Sequence, residues 1–217
     1  MNAQRPEPTT LVGRYISLEP LSPEALPELH RAIAQPAVFA AGFGGGPAGL
    51  HQERDDFIAW AGRYYQWSGL PFGIRLIGGA HDGELVGSTA LGDLDLYNES
   101  AQIGWTAYDP RVWGTAVNVE AKLMLLGLAF DNGFGRIMIQ ADAVNERSRA
   151  AIVGIGASFE GVLRRHRQRP DGSWRDSAIH SVIGEDWPRV RAGLLARLDR
   201  FDSQPVAYRS RERARTA

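Results

Sequence analysis

Two hydrophobic periods alternate along the chain and together predict a mixed α/β protein. Apolar residues at helical spacing predict helices, and the first helix has Ser22 as its N-cap and Pro23 as its first helical residue. Short alternating runs bounded by turn residues predict strands. The predicted helices are residues 21–34, 53–67, 119–132 and 145–156, and the predicted strands are residues 72–77, 85–96, 101–108, 136–142, 159–168 and 174–183.

The order of these elements predicts one α/β (α+β) domain. Helices, an antiparallel meander, a helix, a strand, a helix and a hairpin follow one another, which is not the repeated βαβ pattern of a doubly wound sheet. A length of 217 residues also favours one generous domain. We expect the folded part to span residues 11–201. Residues 1–10 and the Arg-rich residues 202–217 are expected to form flexible tails.

Composition excludes several classes of protein. With 24 basic and 25 acidic residues, the formal charge of −1 provides no overall field for a polyanion. The chain has no Cys, so disulfides and cysteine nucleophiles are excluded, and its five His lack metal-binding spacing, so we expect no metal. The first residues lack an apolar signal core, and the longest apolar run falls short of the ~20 residues that a membrane span requires. A cytoplasmic location is therefore expected.

A glycine-rich segment, GFGGGPAGL, lies between the first two predicted helices. Glycine accepts backbone conformations that other residues avoid, so this pattern predicts a mobile loop over 42–49. A flexible connection and a lid over a substrate are both compatible with the sequence.

The segment 108–132 combines a strand end, a loop with Gly114, Thr115 and Ala116, and an almost wholly apolar helix. Free backbone N–H groups and the positive end of the helix dipole meet at such a junction, where a phosphate or pyrophosphate is stabilised. The loop has neither a Walker sequence nor a GxGxxG fingerprint. An ordinary strand-to-helix connection without a ligand would have the same pattern.

This loop resembles that of the GNAT acetyltransferase superfamily. Residues 111–116, RVWGTA, fit the [Q/R]-x-x-G-x-[G/A] signature with which that family holds the pyrophosphate of acetyl-coenzyme A (acetyl-CoA). The resemblance spans residues 11–187 and points to the branch of ribosomal-protein N-terminal acetyltransferases. It is carried by the following stretches: WG…EA in 113–121, AFDNGFGRIMIQAD, the Asn145-x-x-Ser148-Arg149 motif, GASFEGVLRRHRQRPDG, and Trp174-Arg175-Asp176.

The resemblance implies a mixed, mostly antiparallel sheet splayed between the family's fourth and fifth strands. Here these are residues 101–108 and 136–142, and acetyl-CoA enters the gap between them. Backbone groups of Trp105, Thr106 and Ala107 would pair with the pantetheine as an added strand would, and one amide would stabilise an oxyanion. The pyrophosphate would be held by the following residues, with Arg111 and Asn118 beside it: Val112, Trp113, Gly114, Thr115, Ala116 and Val117.

Asn145, Ser148 and Arg149 follow the predicted strand 136–142, and the resemblance implies that all three bind the cofactor. In the family, the matching Asn contacts the pantetheine, although a helix N-cap alone would explain Asn145. Ser148 lies on the same face of the helix, so the resemblance implies that its hydroxyl assists the departing thiolate. Many relatives use a Tyr later in this helix, and residues 150–153 offer none.

The general base is not identified by a motif. Some relatives carry a Glu where this chain has Gln140, which cannot accept the proton. Glu99 and His180 are the named candidates, although a turn carboxylate and a packed strand histidine would explain them equally. The other carboxylates near the expected cleft are Asp93, Asp95, Asp142, Glu160 and Asp176.

Two further clusters have structural and functional interpretations. The aromatic residues Trp60, Tyr64, Tyr65, Trp67 and Phe72 fit a hydrophobic core or the wall of an acceptor site. The basic run Arg164, Arg165, Arg167 and Arg169 alternates between the faces of a strand, which favours a solvated face over a stripe that binds RNA.

The function that the resemblance implies is direct transfer of an acetyl group from acetyl-CoA to a primary amine, with a protein N-terminal α-amine as the favoured acceptor. A small-molecule amine is the enzymatic alternative, and a non-catalytic sensor of acyl-CoA is the alternative of another class. Nucleic-acid contact is expected only in a ribosomal context. Either a monomer or a homodimer is compatible with the sequence.

Overall fold

The computed structural model describes residues 3–40 and 42–209, which form one eight-stranded sheet flanked by helices. The strands are β1 Leu11–Val12, β2 Ile16–Pro20, β3 Leu70–Leu76, β4 Leu85–Asp95, β5 Ser100–Tyr108, β6 Arg136–Asp142, β7 Ser158–Gln168 and β8 Trp174–Ile183. The helices are α1 Leu26–Ile33, α2 Pro36–Phe39, α3 Arg54–Tyr64, α4 Ala116–Asp131, α5 Glu146–Gly154 and α6 Trp187–Leu198.

The sheet opens between β5 and β6. Its order is β1-β2-β3-β4-β5-β6-β8-β7, and all neighbours are antiparallel except β5 and β6. These two strands pair only over Ser100–Ile103 and Arg136–Ile139. Beyond Ile103 and Ile139 no pairs join them, so the open, mostly antiparallel sheet with a splay at this position is confirmed.

The predicted elements recur with small shifts, and four elements lie outside the prediction. Strand β8 has the predicted bounds, whereas the first predicted helix begins with a 3₁₀ turn, Pro23–Ala25, before α1. Strands β1 and β2 and helices α2 and α6 were not predicted. Helix α2 has four residues, too few to show a helical period, and β1 has two.

Each face of the sheet covers its own hydrophobic core. Helices α4 and α6 pack on one face, with Leu125, Leu126 and Leu194 fully buried. Helices α1, α2 and α3 pack on the other, with Leu29 and Phe57 fully buried. The cleft described below lies between these layers at the opening of the sheet.

A buried carboxylate fixes α4 to the start of β2. Glu120 accepts hydrogen bonds from the backbone N–H groups of Arg14, Tyr15 and Ile16, at 2.7, 2.7 and 2.9 Å. A carboxylate that accepts several backbone N–H bonds is stabilised although it is buried. Helix α4, whose first turn faces the cleft, is therefore held firmly against the sheet.

The N-terminal segment differs from the expected flexible tail. Ala3 and Pro6 are buried, and the Gln4 backbone N–H donates to the carbonyl of Asn132 at 2.9 Å. Arg5 donates to the carbonyl of Ser68 at 2.7 Å. These contacts offset the entropy cost of ordering residues 3–10 against the domain.

The expected C-terminal tail also packs against the domain as far as it is described. Val206 is buried in the larger hydrophobic core, and the Tyr208 ring stacks on His81 with centroids 3.7 Å apart. The expectation of a flexible tail is therefore wrong for these residues. Arg211, Arg213 and Arg215 lie outside the described residues. In the described ranges, no helix combines the length and apolar character that crossing a membrane would need.

Candidate active site

A cleft of about 1140 Å³ opens where β5 and β6 diverge. We call one wall the α4 side: the start of α4, the loop 112–115 that precedes it, and the start of α5. The opposite wall is the hairpin side: the loop 42–45, Tyr64, Asp142 and the tip of the β7–β8 hairpin. The outer part of β5 runs between the two walls.

A β-bulge shapes this part of β5. Ser88 pairs with Ala107 and Ala90 pairs with Gly104, so three steps on β5 face two steps on β4. Trp105 takes up the extra residue with a φ of 51°, a left-handed conformation that costs strain in a non-glycine residue. The bulge turns backbone groups of residues 104–107 out of the regular ladder at the cleft wall.

The first backbone N–H groups of α4 lie at the cleft, and a helix start has no preceding turn of its own to accept them. Thr115 is the N-cap: its hydroxyl donates to the Val112 carbonyl at 2.6 Å and accepts from the Val117 N–H at 3.4 Å. Gly114 turns the loop with a φ of 70°, a conformation that favours glycine. Since the positive end of the helix dipole lies here, the position suits an anion.

Side chains from α5 and β5 complete the α4 side. The Arg147 guanidinium lies 3.6 Å from the centroid of the Trp113 ring, and burial lowers the pKa of Arg147. The Tyr108 hydroxyl donates to the Asn118 side chain at 2.9 Å. Arg147 was not predicted as a site residue because one arginine in a helix carries no motif.

Most of the predicted cofactor residues meet at this cleft. Those that line it are Trp105, Thr106, Ala107, Val112, Trp113, Gly114, Thr115, Asn118, Asn145 and Ser148. Ala116 and Val117, the first two residues of α4, instead bury their side chains in the core. Only their backbone groups could take part in holding a ligand. Arg149 also points away: it donates to the Ala143 carbonyl at 3.2 Å.

Arg111 does not line the cleft, contrary to the expectation that it lies beside a pyrophosphate. Its guanidinium pairs with the buried carboxylate of Asp109 at 2.7 Å, which raises the pKa of Arg111. The Tyr208 ring covers the guanidinium at 3.9 Å. Arg111 therefore anchors the loop that precedes α4.

Arg209 lies on the α4 side although the sequence placed it in a tail. Its guanidinium donates to the Gly114 carbonyl at 2.6 Å, and its backbone N–H donates to the Arg111 carbonyl at 2.9 Å. A positive charge is thereby added next to the anion-suited turn. No local pattern signals this contact, because 95 residues separate Arg209 from Gly114.

Of the three candidate catalytic residues, only Ser148 lines the cleft. Its backbone N–H donates to the Asn145 side chain at 2.9 Å, so Asn145 is the helix N-cap as the sequence suggested. Glu99 precedes β5 at the paired end of the strand, where its carbonyl accepts from the N–H of Gly135 at 2.7 Å. The expectation that Glu99 acts as the base is therefore wrong.

His180 is also misplaced for a base. It is 1% exposed, pairs with Ile139 across β6 and β8, and contacts the Phe159 ring at 5.3 Å. Burial lowers the pKa of His180, which favours a neutral imidazole packed in the sheet. The structural interpretation of this histidine is the one that fits.

Asp142 is the buried carboxylate of the cleft. It ends β6, is 5% exposed and forms an ion pair with Arg169 from the hairpin. Among the described residues, the other carboxylate that lines the cleft is Glu146, which is exposed at the start of α5. Gln140, at the position of the family's Glu, donates to Gln102 at 2.8 Å.

A buried lysine lies beneath β5 and was missed by the sequence prediction. The Lys122 ammonium donates to the hydroxyls of Thr106 at 3.0 Å and Thr89 at 3.3 Å, and the residue lines the cleft. Loss of water lowers the pKa of Lys122 to about 7. The available signal was a lysine within an almost wholly apolar helix, and it is the only lysine in the sequence.

The glycine-rich loop packs onto the hairpin side. Phe43 packs edge-on against the stacked rings of Trp60 and Tyr64, at ring-centroid distances of 6.1 and 5.4 Å. A Cβ atom at Gly45 would lie 2.6 Å from Pro170, so the loop backbone touches the hairpin tip. The aromatic cluster therefore serves mainly as core, while Phe43 and Tyr64 reach the cleft.

The family can now be identified from the sequence as a whole. Residues 16–158 match the family model described as an acetyltransferase (GNAT) domain. The chain belongs to the GNAT acetyltransferase family. It is an acyltransferase, and the cleft at the splayed strands is the candidate active site of this enzyme.

Named relatives place this acetyltransferase nearer to one branch. It is 30% identical to the Bacillus subtilis (strain 168) protein "Putative ribosomal N-acetyltransferase YdaF", over 82% of this chain and 97% of that protein. A GCN5-related N-acetyltransferase from Brucella melitensis is similar in structure, with a TM-score of 0.82 and 26% identity, covering 100% of this chain and 98% of the other. Mycobacterium smegmatis RimJ in complex with CoA-disulfide has a TM-score of 0.71 and 25% identity, covering 89% and 97%. The resemblance to the ribosomal-protein branch is confirmed.

Proposed function

We propose that this acetyltransferase transfers the acetyl group of acetyl-CoA, bound in the cleft between β5 and β6, to the N-terminal amine of a protein. One observation carries the cofactor assignment: the start of α4 and the bulge in β5 lie on one continuous cleft at the splay. A further support is the CoA-disulfide in the structure of RimJ, which resembles this chain.

The residues of the α4 side fit the polar parts of acetyl-CoA. The α4 N–H groups and the Arg209 guanidinium lie at the expected position of a pyrophosphate, and a Cβ atom at Gly114 would lie 2.7 Å from that guanidinium. The displaced backbone of residues 104–107 offers amide partners to a pantetheine arm. Asn145 and Ser148 line the same cleft as that backbone.

Each remaining task of the transfer has a group at hand. Acetyl-CoA supplies a thioester whose carbonyl carbon accepts the amine as the carbon–sulfur bond breaks. A backbone N–H in the bulge stabilises the carbonyl oxygen as it gains negative charge. The Ser148 hydroxyl donates to the sulfur, and Asp142 takes the proton of the ammonium, directly or through water.

The choice of a protein N-terminus as acceptor rests on the relatives' names. A small-molecule amine uses the same chemistry and is the competing acceptor. A sensor that binds acyl-CoA without turnover would need the α4 side alone. The cytoplasmic location and the choice between monomer and homodimer remain predictions.

Turnover with defined acceptors tests the proposal. We expect thiol release from acetyl-CoA to depend on an added peptide, with acetylated N-terminus detected by mass spectrometry. Turnover with small amines such as polyamines but not with peptides would show that the acceptor is a small-molecule amine and not a protein N-terminus. Binding of CoA without turnover on a broad panel would favour the sensor.

A further inference from the structure

Two arginines lie side by side on neighbouring strands of the hairpin, on the hairpin side of the cleft. Arg167 on β7 and Arg175 on β8 are direct partners in the antiparallel ladder, and both line the cleft. Directly opposed residues lie on the same face of a sheet, with Cβ atoms about 5 Å apart. Two positive charges in that arrangement repel each other, so the pair is unfavourable unless an anion joins them.

The surrounding charges do not neutralise this pair. Arg169 also lines the cleft, but it pairs with Asp142 and donates to the Trp174 carbonyl at 2.8 Å. Within the described part of the chain, neither Arg167 nor Arg175 forms an ion pair. The hairpin side therefore holds three guanidinium groups around one buried carboxylate.

Arg175 has a hydrogen-bond donor to spare. Its Nε is buried and has no partner among the described residues. Burial lowers the pKa of Arg175, the nearby charge of Asp142 opposes this, and Arg167 adds to it. A buried donor without a partner is costly, and a guanidinium fork matches a carboxylate in two parallel hydrogen bonds.

Tyr64 and the loop 42–45 line the cleft beside the two arginines. Tyr64 lines the cleft on this side, and burial raises its pKa to about 12, so its neutral hydroxyl can donate. The contacts of the loop 42–45 with Asp142 and Pro170 close this side from above. The arginines on β7 differ in position, since Arg167 lines the cleft and Arg164 does not.

We propose that Arg167 and Arg175 bind a carboxylate of the acceptor, a few bonds from the amine that is acetylated. The inference rests on the proposed N-acetyltransferase function and names its substrate class: acceptors with an acidic group beside the amine. Asp142, in the same part of the cleft, attracts the ammonium. A carboxylate can come from an Asp or Glu side chain near a protein N-terminus or from the free carboxyl group of a short peptide.

The test uses matched acceptors and the full-length enzyme. Hexapeptides with amidated C-termini carry Ala first and Glu, Gln or Lys at the second and third positions. A second arm compares dialanine with its amide. We expect the KM for the Glu peptide to be at least about tenfold below that for the Gln peptide, because charge-assisted hydrogen bonds contribute on that scale. The second arm tells whether a terminal carboxylate serves as well.

Variants link the preference to the pair. R175Q and R167Q should each remove most of the preference for Glu over Gln by raising KM for the Glu peptide, with little change in kcat or in CoA affinity. R164Q, on the outer surface of the same strand, is the matched control and should retain the full preference. Equal KM values for the Glu and Gln peptides in the wild-type enzyme, or an unchanged preference in R175Q, would overturn the inference.

A binding measurement separates this inference from the proposed function. Fluorescent peptides of the same sequences are titrated into the CoA-saturated enzyme and followed by anisotropy. Tighter binding of the Glu peptide without turnover would support the arginine site. It would contradict the proposal that peptide N-termini are acetylated by this enzyme. Turnover of all three peptides with equal affinity would uphold the proposed function and contradict the inference.

Discussion

The two sides of the cleft are built from different materials. The α4 side combines backbone N–H groups and a helix dipole with Arg147 stacked on Trp113, whereas the hairpin side combines arginines with a buried carboxylate and aromatic rings. Backbone groups suit the phosphates and amides that every CoA ester shares. Side chains on the opposite side differ in charge and shape, so they are the part that selects an acceptor.

The largest expected effect breaks the α4 side alone. In Gly114→Asp a carboxylate is placed at the turn where the pyrophosphate is expected, and the backbone there has a φ of 70°. We expect at least a hundredfold loss of CoA affinity, about 3 kcal/mol, because the carboxylate repels the pyrophosphate and its Cβ atom, 2.7 Å from the Arg209 guanidinium, displaces that positive charge. Calorimetric titration with CoA measures it.

Gly83→Asp is the control for backbone strain. Gly83 has a φ of 75° in the turn before β4, and an added Cβ atom would meet nothing within 4 Å. This variant should suffer the same conformational cost and bind CoA normally. Equal affinity losses in the two variants would contradict the pyrophosphate position.

The second effect breaks the hairpin side. Asp142→Asn removes the proposed proton acceptor, and we expect kcat to fall about a hundredfold while CoA affinity stays unchanged. The change also leaves Arg169 without its partner, which is destabilising. The double variant Asp142→Asn with Arg169→Gln removes that imbalance. If it recovered the wild-type rate, the role of Asp142 would be structural.

Lys122 belongs to neither side of the cleft. It is a titratable group beneath the backbone of β5, which runs between the two sides. With a pKa of about 7, Lys122 loses its proton near pH 7 in the folded protein. In the unfolded chain it loses the proton only near pH 10.4. Wild-type stability should therefore rise with pH across that window relative to Lys122→Met. The gain in unfolding free energy of the variant should shrink by about 1.4 kcal/mol per pH unit.

The pKa of Lys122 can be measured directly. Since the chain has one lysine, isotopic labelling at lysine Cε gives one side-chain NMR signal to follow with pH. A midpoint near 7 agrees with the buried position between Thr89 and Thr106. A titration midpoint near pH 10.5 would show that water reaches the Lys122 ammonium at this wall of the cleft.

The smallest effect refines the α4 side. Ser148→Ala should lower kcat about tenfold through loss of the hydroxyl near the sulfur, with unchanged CoA affinity. The helix cap survives because Asn145 accepts from the backbone N–H of residue 148, which alanine retains. A kcat equal to that of the wild type would leave Ser148 without a catalytic role.

The residues that the sequence could predict lie mainly on the α4 side of the cleft, and most of those that it could not predict lie elsewhere. The turn at Gly114 and the cap at Asn145 are local features, so a short motif carries them, and the resemblance places them correctly. Asp142, at the end of a predicted strand, was among the carboxylates expected near the cleft. Arg175 and Arg209 take their positions through contacts between segments far apart in the chain, which no local pattern records. Glu99 and His180 were chosen by residue type, and strand pairing turned both away from the cleft.

Packing also corrected the chain ends. Polar composition indicated tails, yet Ala3 and Val206 each bury a small apolar surface against the core. Such isolated apolar residues give no periodic signal, so sequence patterns do not reveal them.

A crystal structure of the enzyme with CoA bound tests most directly that the two sides have separate tasks. The account predicts pyrophosphate oxygens within hydrogen-bond distance of the N–H groups that begin α4, and the CoA sulfur between Ser148 and the bulge of β5. Arg167 and Arg175 should remain free of the cofactor. Phosphate groups bound to those two arginines, or a CoA molecule outside the splay between β5 and β6, would contradict it.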